Sequence, residues 1–171
     1  MKVSFNENDK VFFVSDTHWW HTNIIKYCNR PFDTVEEMNE NLISNWNSVV
    51  NKEDTVFHLG DFAFCGVTKY KSILEQLNGN IILIKGNHDH FKCVDKFFSE
   101  IYQQVTLRIG DKIVYLNHYP FLNFPEECYQ LHGHIHSIGN SSVSKNQYDV
   151  GVDNNDFIPI TWKQIKEING W

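Results

Sequence analysis

The sequence lacks long apolar runs, and its cysteines form no Cys-x-x-Cys pair. No segment approaches the roughly 18 apolar residues of a membrane span, and the N-terminus becomes polar at 6–9, too early for a secretory signal. The four cysteines are far apart, which is typical of reduced thiols in a core rather than of disulfides or thiolate metal sites. We therefore expect a cytoplasmic protein without a membrane partner.

Basic residues are also sparse: 15 Lys and Arg against 21 Asp and Glu give a formal net charge of −6. Proteins that hold duplex nucleic acid by its backbone usually present a dense basic face, so we expect no extended duplex binding. A nucleotide or a nucleic-acid end remains compatible, because bound metal would supply local positive charge. Linkers and internal repeats are absent too. The 171 residues, 42% of them hydrophobic, predict one domain over 1–171.

Histidine, by contrast, is abundant, with nine in the chain. Most of these histidines lie in short motifs of carboxylate, amide and imidazole groups, and four of the five motifs directly follow an apolar run. The motifs are Asp16-Thr17-His18, Gly60-Asp61, Gly86-Asn87-His88-Asp89, Asn117-His118 and Gly133-His134-Ile135-His136. Because these groups follow the ends of several predicted strands, the pattern predicts a metal site formed at those strand ends.

The pattern of apolar residues predicts an α/β fold. Apolar segments at 11–14, 55–59 and 81–84 predict buried strands, separated by amphipathic helices at 34–50 and 68–77. This order predicts a parallel sheet with right-handed crossovers. Alternation at 102–109 and 112–116 predicts a hairpin, and later strands at 129–131, 148–152 and 157–160 complete a more antiparallel half. Short helices are expected at 23–28 and 91–98, and a last one at 162–168.

In open α/β sheets, ligands collect beyond the carboxyl ends of the strands, where this pattern places several donors. Asp16 and His18, at i and i+2, would face one metal if the chain is extended. The complete donor set is Asp16, Asp61, Asn87, His18, His118, His134 and His136. Seven groups are too many for one tetrahedral ion. They fit two five- or six-coordinate ions that share a bridging carboxylate.

Nitrogen and oxygen donors without thiolate favour Mn²⁺, with Fe, Zn²⁺ and Ni²⁺ as alternatives. Two divalent cations offset by two carboxylates and one hydroxide leave the site positive, as an anionic phosphoryl group requires. Two such ions about 3.5–4 Å apart can activate a hydroxide for in-line displacement. The donor set therefore predicts metal-dependent phosphoester hydrolysis.

The five motifs, complete and in order, resemble the calcineurin-like metallophosphoesterase superfamily, and most closely its small single-domain bacterial and phage members. The resemblance extends to Asn29-Arg30-Pro31-Phe32 and to Val150-Gly151-Val152-Asp153. It implies an α/β (α+β) fold, a two-sheet β-sandwich flanked by helices in four layers.

The resemblance also implies residue roles. The first metal would be bound by Asp16, His18 and His136, and the second by Asn87, His118 and His134. Asp61 would bridge the two ions. His88 would contact the phosphoryl oxygen or protonate the leaving group, and Asp89 would orient His88.

Other residues keep two interpretations. His21 is either a helix-cap residue or a substrate contact, and Arg30 either pairs with phosphate or forms a structural ion pair. Trp19 and Trp20 either stack on a base or form an apolar lip over the sheet. His58 and His132 are expected beside the metal site or in the core rather than on a metal, and His90 is expected in solvent. The phenylalanines assigned to the core are Phe12, Phe13, Phe62, Phe64, Phe97 and Phe98.

These features predict a phosphodiesterase that acts on nucleotides or nucleic-acid ends. Two alternatives stay open. One is a phosphomonoesterase, acting on proteins or small molecules. The other is a catalytically silent metal-fold module that binds a protein partner, although such a module would be expected to lose His88 or a ligand.

Overall fold

The computed structural model describes residues 2–89, 94–136 and 145–171. Within them, ten strands form two five-stranded sheets, accompanied by four α-helices. The strands are β1 Lys2–Phe5, β2 Val11–Val14, β3 Thr55–His58, β4 Asn80–Ile84, β5 Ile101–Tyr102, β6 Gln104–Ile109, β7 Lys112–Asn117, β8 Tyr129–His132, β9 Gln147–Asp149 and β10 Ile160–Thr161. The helices are α1 Thr22–Tyr27, α2 Val35–Val49, α3 Val67–Leu74 and α4 Trp162–Asn169.

Sheet I has the strand order β10-β2-β3-β4-β5. Strands β2 to β5 run parallel, and β10 joins the edge antiparallel to β2. The predicted parallel sheet is therefore confirmed. The unbroken apolar run of β2 has a simple cause, because both of its faces are covered: Phe12 and Val14 pack with the helices, whereas Val11 and Phe13 face the second sheet.

Sheet II has the order β1-β6-β7-β8-β9. The predicted hairpin is present as β6 and β7, turning at Gly110. The expectation of a more antiparallel half is wrong, because β1 joins β6 in parallel, as do β7 with β8 and β8 with β9. Tyr102, assigned by pattern to the hairpin, instead belongs to β5 in sheet I.

The two sheets enclose one core and the helices cover another. Alternate residues of β6, such as Val105 and Leu107, point between the sheets. Helices α1, α2 and α3 pack on the outer face of sheet I. On the outer face of sheet II, Tyr115 contacts Phe121 and Phe124. Both phenylalanines lie in the connection between β7 and β8. The expected α/β sandwich of two sheets accompanied by helices is confirmed.

The helix termini follow their sequence signals. The Thr34 hydroxyl accepts a hydrogen bond from the Glu37 amide at the start of α2, and Thr161 with Gln164 forms a full capping box on α4. The helix expected at 91–98 lies partly outside the described residues. Its described part, 94–98, forms a 3₁₀ turn at Val94–Lys96. None of the described helices is both long and apolar enough to cross a membrane.

Candidate metal centre

Three predicted ligands meet just beyond β2 and β8. Donor atoms of Asp16, His18 and His136 all lie within 4.8 Å of one another. Asp16 Oδ1 and His18 Nε2 are buried and have no hydrogen-bond partner among the described residues. Buried polar atoms are normally satisfied, and a cation between these atoms would satisfy both. We name this group the first cluster.

A second cluster, Asp61, His118 and His134, likewise places one donor atom of each residue within 4.8 Å of the others. The Nδ1 of His118 is 2.8 Å from the Leu59 carbonyl oxygen. It must donate to that carbonyl, which leaves Nε2 with its lone pair toward the cluster. The Asn87 amide oxygen lies 3.0 Å from this Nε2, so the predicted fourth donor is also in place.

Asp61 lies between the clusters. Its Oδ2 is 3.6 Å from His18 Nε2 and 3.5 Å from His118 Nε2. Its Oδ1 accepts a hydrogen bond from the His88 backbone amide at 2.8 Å. One carboxylate thus faces a donor of each cluster, the position that a bridging ligand needs.

The ligand-bearing backbone is strained. Non-glycine residues rarely adopt positive φ, yet five predicted ligands do. They are Asp16, His18, Asp61, His134 and His136, with φ between 49° and 75°. The extended geometry expected for Asp16 and His18 is therefore wrong, although the two side chains still converge. Such strain, of order 1–3 kcal/mol per residue, collects at functional sites.

Glycines let the ligand loops approach closely. Gly60 has φ +95°, and a Cβ there would lie 2.5 Å from the Gly86 nitrogen. A Cβ at Gly86 would collide with the Asp61 carboxylate, and one at Gly133 with Asp16. The glycines before Asp61, Asn87 and His134 are thus required, because another ligand loop occupies the space that a side chain would fill.

Burial controls the charge of Asp16. The residue is fully buried, and this burial raises the pKa of its carboxyl to about 6, although nearby His136 and His118 oppose the shift. Burial also lowers the pKa of His18 well below its usual range. The neutral imidazole of His18 and the carboxylate of Asp16, which a positive neighbour would stabilise, together form a suitable binding site for a cation.

His136 is held from behind by Asp153. The Nδ1 of His136 lies 2.8 Å from Asp153 Oδ2, while its Nε2 lies 3.8 Å from Asp16 Oδ1. Burial alone would lower the pKa of His136, but hydrogen bonds with Asp153 and Cys28 and the charge of Asp16 raise it to about 10. Asp153 therefore fixes the ring so that Nε2 points at the first cluster.

Arg30 completes this support. Its guanidinium is buried and makes a bidentate pair with Asp153, at 2.8 and 2.9 Å. Its remaining N–H groups donate to the carbonyls of Asp16 and Thr17 and to the sulfur of Met38. All five N–H groups are engaged, so the contacts favour the structural ion pair over the phosphate contact expected as the other interpretation.

Asp89 is also structural in its contacts. Its carboxylate accepts hydrogen bonds from the backbone amides of Asp61, Phe62 and Gly86. These bonds tie the loop after β3 to the loop after β4. Among the described residues, these three amides are the hydrogen-bond partners of its carboxylate; the orientation of His88 by Asp89 stays a prediction.

Two further histidines support the site without joining a cluster. The Thr17 hydroxyl donates to the Phe62 carbonyl, and His58 Nε2 therefore donates to that hydroxyl at 2.9 Å. Burial lowers the pKa of His58 to about 3. His132 is buried and its Nδ1 lies 2.9 Å from the Gly133 carbonyl. His90 lies outside the described residues.

The aromatic expectations are partly corrected. Trp19 is fully buried, and the Lys69 ammonium lies 3.6 Å from the centre of the Trp20 ring, so the core and lip interpretation fits both. Phe64, assigned to the core, is 57% exposed. The sequence pattern offers no signal for this, because residues at i and i+2 of an extended chain share one face and Phe62 is buried.

A cavity of about 640 Å³ opens beside the first cluster. His18 and His136 line it, together with His88, His21 and Phe64. His21 precedes α1, but its side chain makes no capping hydrogen bond, and its Nδ1 is 3.3 Å from His18 Nδ1. We name this space the site cavity. It joins the predicted catalytic histidine to the first cluster.

The chain is similar to known proteins of an archaeon and a phage. An uncharacterized protein of Methanocaldococcus jannaschii, MJ1445, is 42% identical over 139 residues, covering 75% of this chain and 70% of that protein. The Gene 66 protein of Mycobacterium phage L5 is 29% identical over 179 residues, covering 83% of this chain and 86% of that protein.

The crystal structure of AQ665, a protein of unknown function from Aquifex aeolicus, superposes with a TM-score of 0.77 and 29% identity, covering 94% of this chain and all of that one. The model of the calcineurin-like phosphoesterase superfamily domain matches residues 10–151. That match contains all five ligand motifs from Asp16 to His136, and the chain belongs to the calcineurin-like phosphoesterase superfamily.

Proposed function

We propose that the protein is a two-metal phosphoesterase that hydrolyses phosphodiesters of nucleotides or nucleic-acid ends. The observation that carries the proposal is the pair of clusters with Asp61 between them. In the first cluster, the buried atoms Asp16 Oδ1 and His18 Nε2 have no hydrogen-bond partner among the described residues. When bound, two divalent ions, of which Mn²⁺ suits these donors best, would supply an activated water and offset the charge that develops on phosphorus.

In this proposal His88 acts on the leaving group, and three observations support the assignment. Its backbone amide is fixed by Asp61 Oδ1, and its Nε2 lies 4.0 Å from Asp61 Oδ2. The side chain is 38% exposed and lines the site cavity. From there Nε2 can donate a proton to the departing oxygen or a hydrogen bond to the phosphoryl group.

The charge of the cavity wall favours a diester. Histidines line the site cavity beside the first cluster, and none of its described lining residues is Lys or Arg. Arg30, the nearby guanidinium, has every N–H group engaged. A dianionic monoester would gain more from such cations than a diester, which carries a single negative charge.

The proposal is tested by hydrolysis of bis-p-nitrophenyl phosphate and of p-nitrophenyl phosphate with Mn²⁺ present. We expect turnover of both, or of the diester alone, with higher kcat/KM for the diester. Preference for the monoester would indicate a phosphatase. No turnover of either by protein with two ions bound would refute the enzyme proposal and favour a binding module.

A His88 series tests the mechanism. His88→Ala should bind metal as the wild type does and lose about 10²–10⁴-fold in kcat. His88→Gln, which can still donate a hydrogen bond but cannot transfer a proton, distinguishes the two roles. If His88→Gln retains most of the rate, the residue contacts the phosphoryl group. If His88→Ala loses metal instead, its assignment is wrong.

A further inference from the structure

Two exposed aromatic side chains lie at the mouth of the site cavity. Tyr27 is 71% exposed and Phe64 is 57% exposed, and both line the cavity. Single exposed apolar residues are common on protein surfaces. These two differ because they belong to two separate segments, α1 and the loop after β3, and converge on one cavity that ends at the predicted metal ligands.

The Phe64 ring is held rather than free. One side packs on the His21 imidazole, with ring centroids 4.8 Å apart and an interplanar angle of 31°. His88 approaches at 6.0 Å, edge to face. His21 is itself in contact with His18, at 5.2 Å between centroids. Phe64 is thus buttressed toward the cluster while more than half of the residue stays open to a ligand.

Tyr27, on α1, contributes the second aromatic ring at the mouth of the site cavity. Its ring lies 6.3 Å from His21 at an angle of 78°. Ile24 and Cys28, from the same segment, also line the cavity. None of the described lining residues carries a carboxylate. The mouth of the cavity is therefore aromatic and its inner end is lined by histidines, without a negative charge in the lining that would repel a phosphoester.

The size of the cavity also fits a small ligand. About 640 Å³ lies within the range of about 300–1,000 Å³ that small-molecule sites occupy. The tryptophans do not offer an alternative platform, since Trp19 is buried and Trp20 is covered by Lys69. The open aromatic surface beside His88 belongs to Phe64 and Tyr27.

We propose that Phe64 and Tyr27 form a stacking site for a planar, uncharged ring carried by the phosphoester, such as a nucleotide base. The proposal rests on the proposed function, because His88 and the first cluster orient the phosphoryl group at the inner end of the same cavity. It makes Phe64 and Tyr27 specificity-determining residues and His21 the positioning residue that supports Phe64. A single nucleotide or a strand end, rather than a paired base, can place its ring there.

Binding of uncleavable ligands tests the proposal without turnover. The probes are an adenosine phosphonate, in which carbon replaces the ester oxygen, and the same ribose phosphonate without a base. Calorimetry on Mn²⁺-loaded protein measures both affinities. We expect the base to increase affinity about ten-fold, and Phe64→Ala to remove most of this gain while leaving the base-free ligand unaffected. Tyr27→Ala should act in the same direction, and Phe64→Trp should preserve the gain.

The matched control is Ile168→Ala, which removes an exposed apolar side chain on α4 that does not line the site cavity; it should change neither affinity. Equal affinities of the wild type for both probes would overturn the stacking site, as would a base preference that survives in Phe64→Ala and Tyr27→Ala together. Failure of the proposed function is distinguishable. Base-dependent binding without hydrolysis of any phosphoester would refute the function alone, and hydrolysis without base preference would refute the stacking site alone.

Discussion

Replacing Asp153 by Asn tests the residues that hold the first cluster in place without changing any of its ligands. The Asp153 carboxylate accepts from both Arg30 and His136 at 2.8–2.9 Å, and the Arg30 side chain has no exposed surface. The variant keeps the size of the side chain and removes its charge. It leaves a buried guanidinium unpaired and presents an amide to His136 in place of a carboxylate.

Two effects of the Asp153→Asn change are separable. Breaking one side of a buried ion pair costs about 3–5 kcal/mol, a large share of the roughly 5–15 kcal/mol that stabilises a domain. Loss of the carboxylate behind a ligating histidine lowers metal affinity about 10–100-fold. In an Arg30→Met background no buried cation is left unpaired, so the same change should cost less stability.

Urea unfolding of the metal-free protein measures the first effect, and calorimetric titration with Mn²⁺ measures the second. Asp156→Asn is the matched control, because Asp156 is an exposed acid in the same segment, and it should change unfolding by less than about 0.5 kcal/mol. If Asp153→Asn leaves both the free energy of unfolding and the Mn²⁺ affinity unchanged, the hydrogen bonds from Arg30 and His136 to Asp153 do not support the first cluster.

Three further outcomes are expected. Burial lowers the pKa of His58, so the histidine is neutral in the folded protein and gains a proton more readily when the protein unfolds. As the pH falls below about 6, the free energy of unfolding should therefore decrease by about 1.4 kcal/mol per pH unit more in the wild type than in His58→Asn. Urea unfolding at several pH values measures this difference. Asp61→Ala should weaken both steps of a metal titration, whereas Asp16→Ala should weaken mainly one; equal effects would remove the bridging assignment. Gly60→Ala should lower stability by about 2 kcal/mol or more, seen as a fall in Tm, since a Cβ at φ +95° meets backbone.

The ligand set was predictable because two simple signals coincide. Apolar runs such as 11–14 and 55–58 are buried on both faces, and each is followed within a few residues by a donor. Parallel strands end at one edge of a sheet, so Asp16, Asp61 and Asn87 had to converge. Sheet I therefore follows from the sequence, whereas the division of the ligands between two ions was implied by the resemblance to the family and stays a prediction.

Other features depend on contacts that a local pattern does not contain. Arg30 and Asp153 are 123 positions apart, and only the fold reveals that they pair behind His136. Phe64 is apolar like a core residue, yet its ring lies at the site cavity although the preceding Phe62 is buried. The left-handed backbone at the ligands is also unforeseen, because non-glycine residues adopt it rarely, even though Asp and His do so more often than most.

The parallel pairing within sheet II was missed for a related reason. Alternation along β6 and β7 identifies a hairpin, but it says nothing about which strand lies beside β1 or β9. Those neighbours are chosen by long connections that pack over the sheet, as Phe121 packs on Tyr115. Strand order is thus a property of the assembled core rather than of any segment.

The central claim is that two ions held by the two clusters carry phosphoester hydrolysis. The most direct test is to strip the protein of metal, add Mn²⁺ stepwise, and follow both bound metal and the rate of bis-p-nitrophenyl phosphate hydrolysis. The account predicts that the rate reaches its maximum as the second ion per chain binds. Two bound ions without hydrolysis, or full activity with no metal bound, would contradict it.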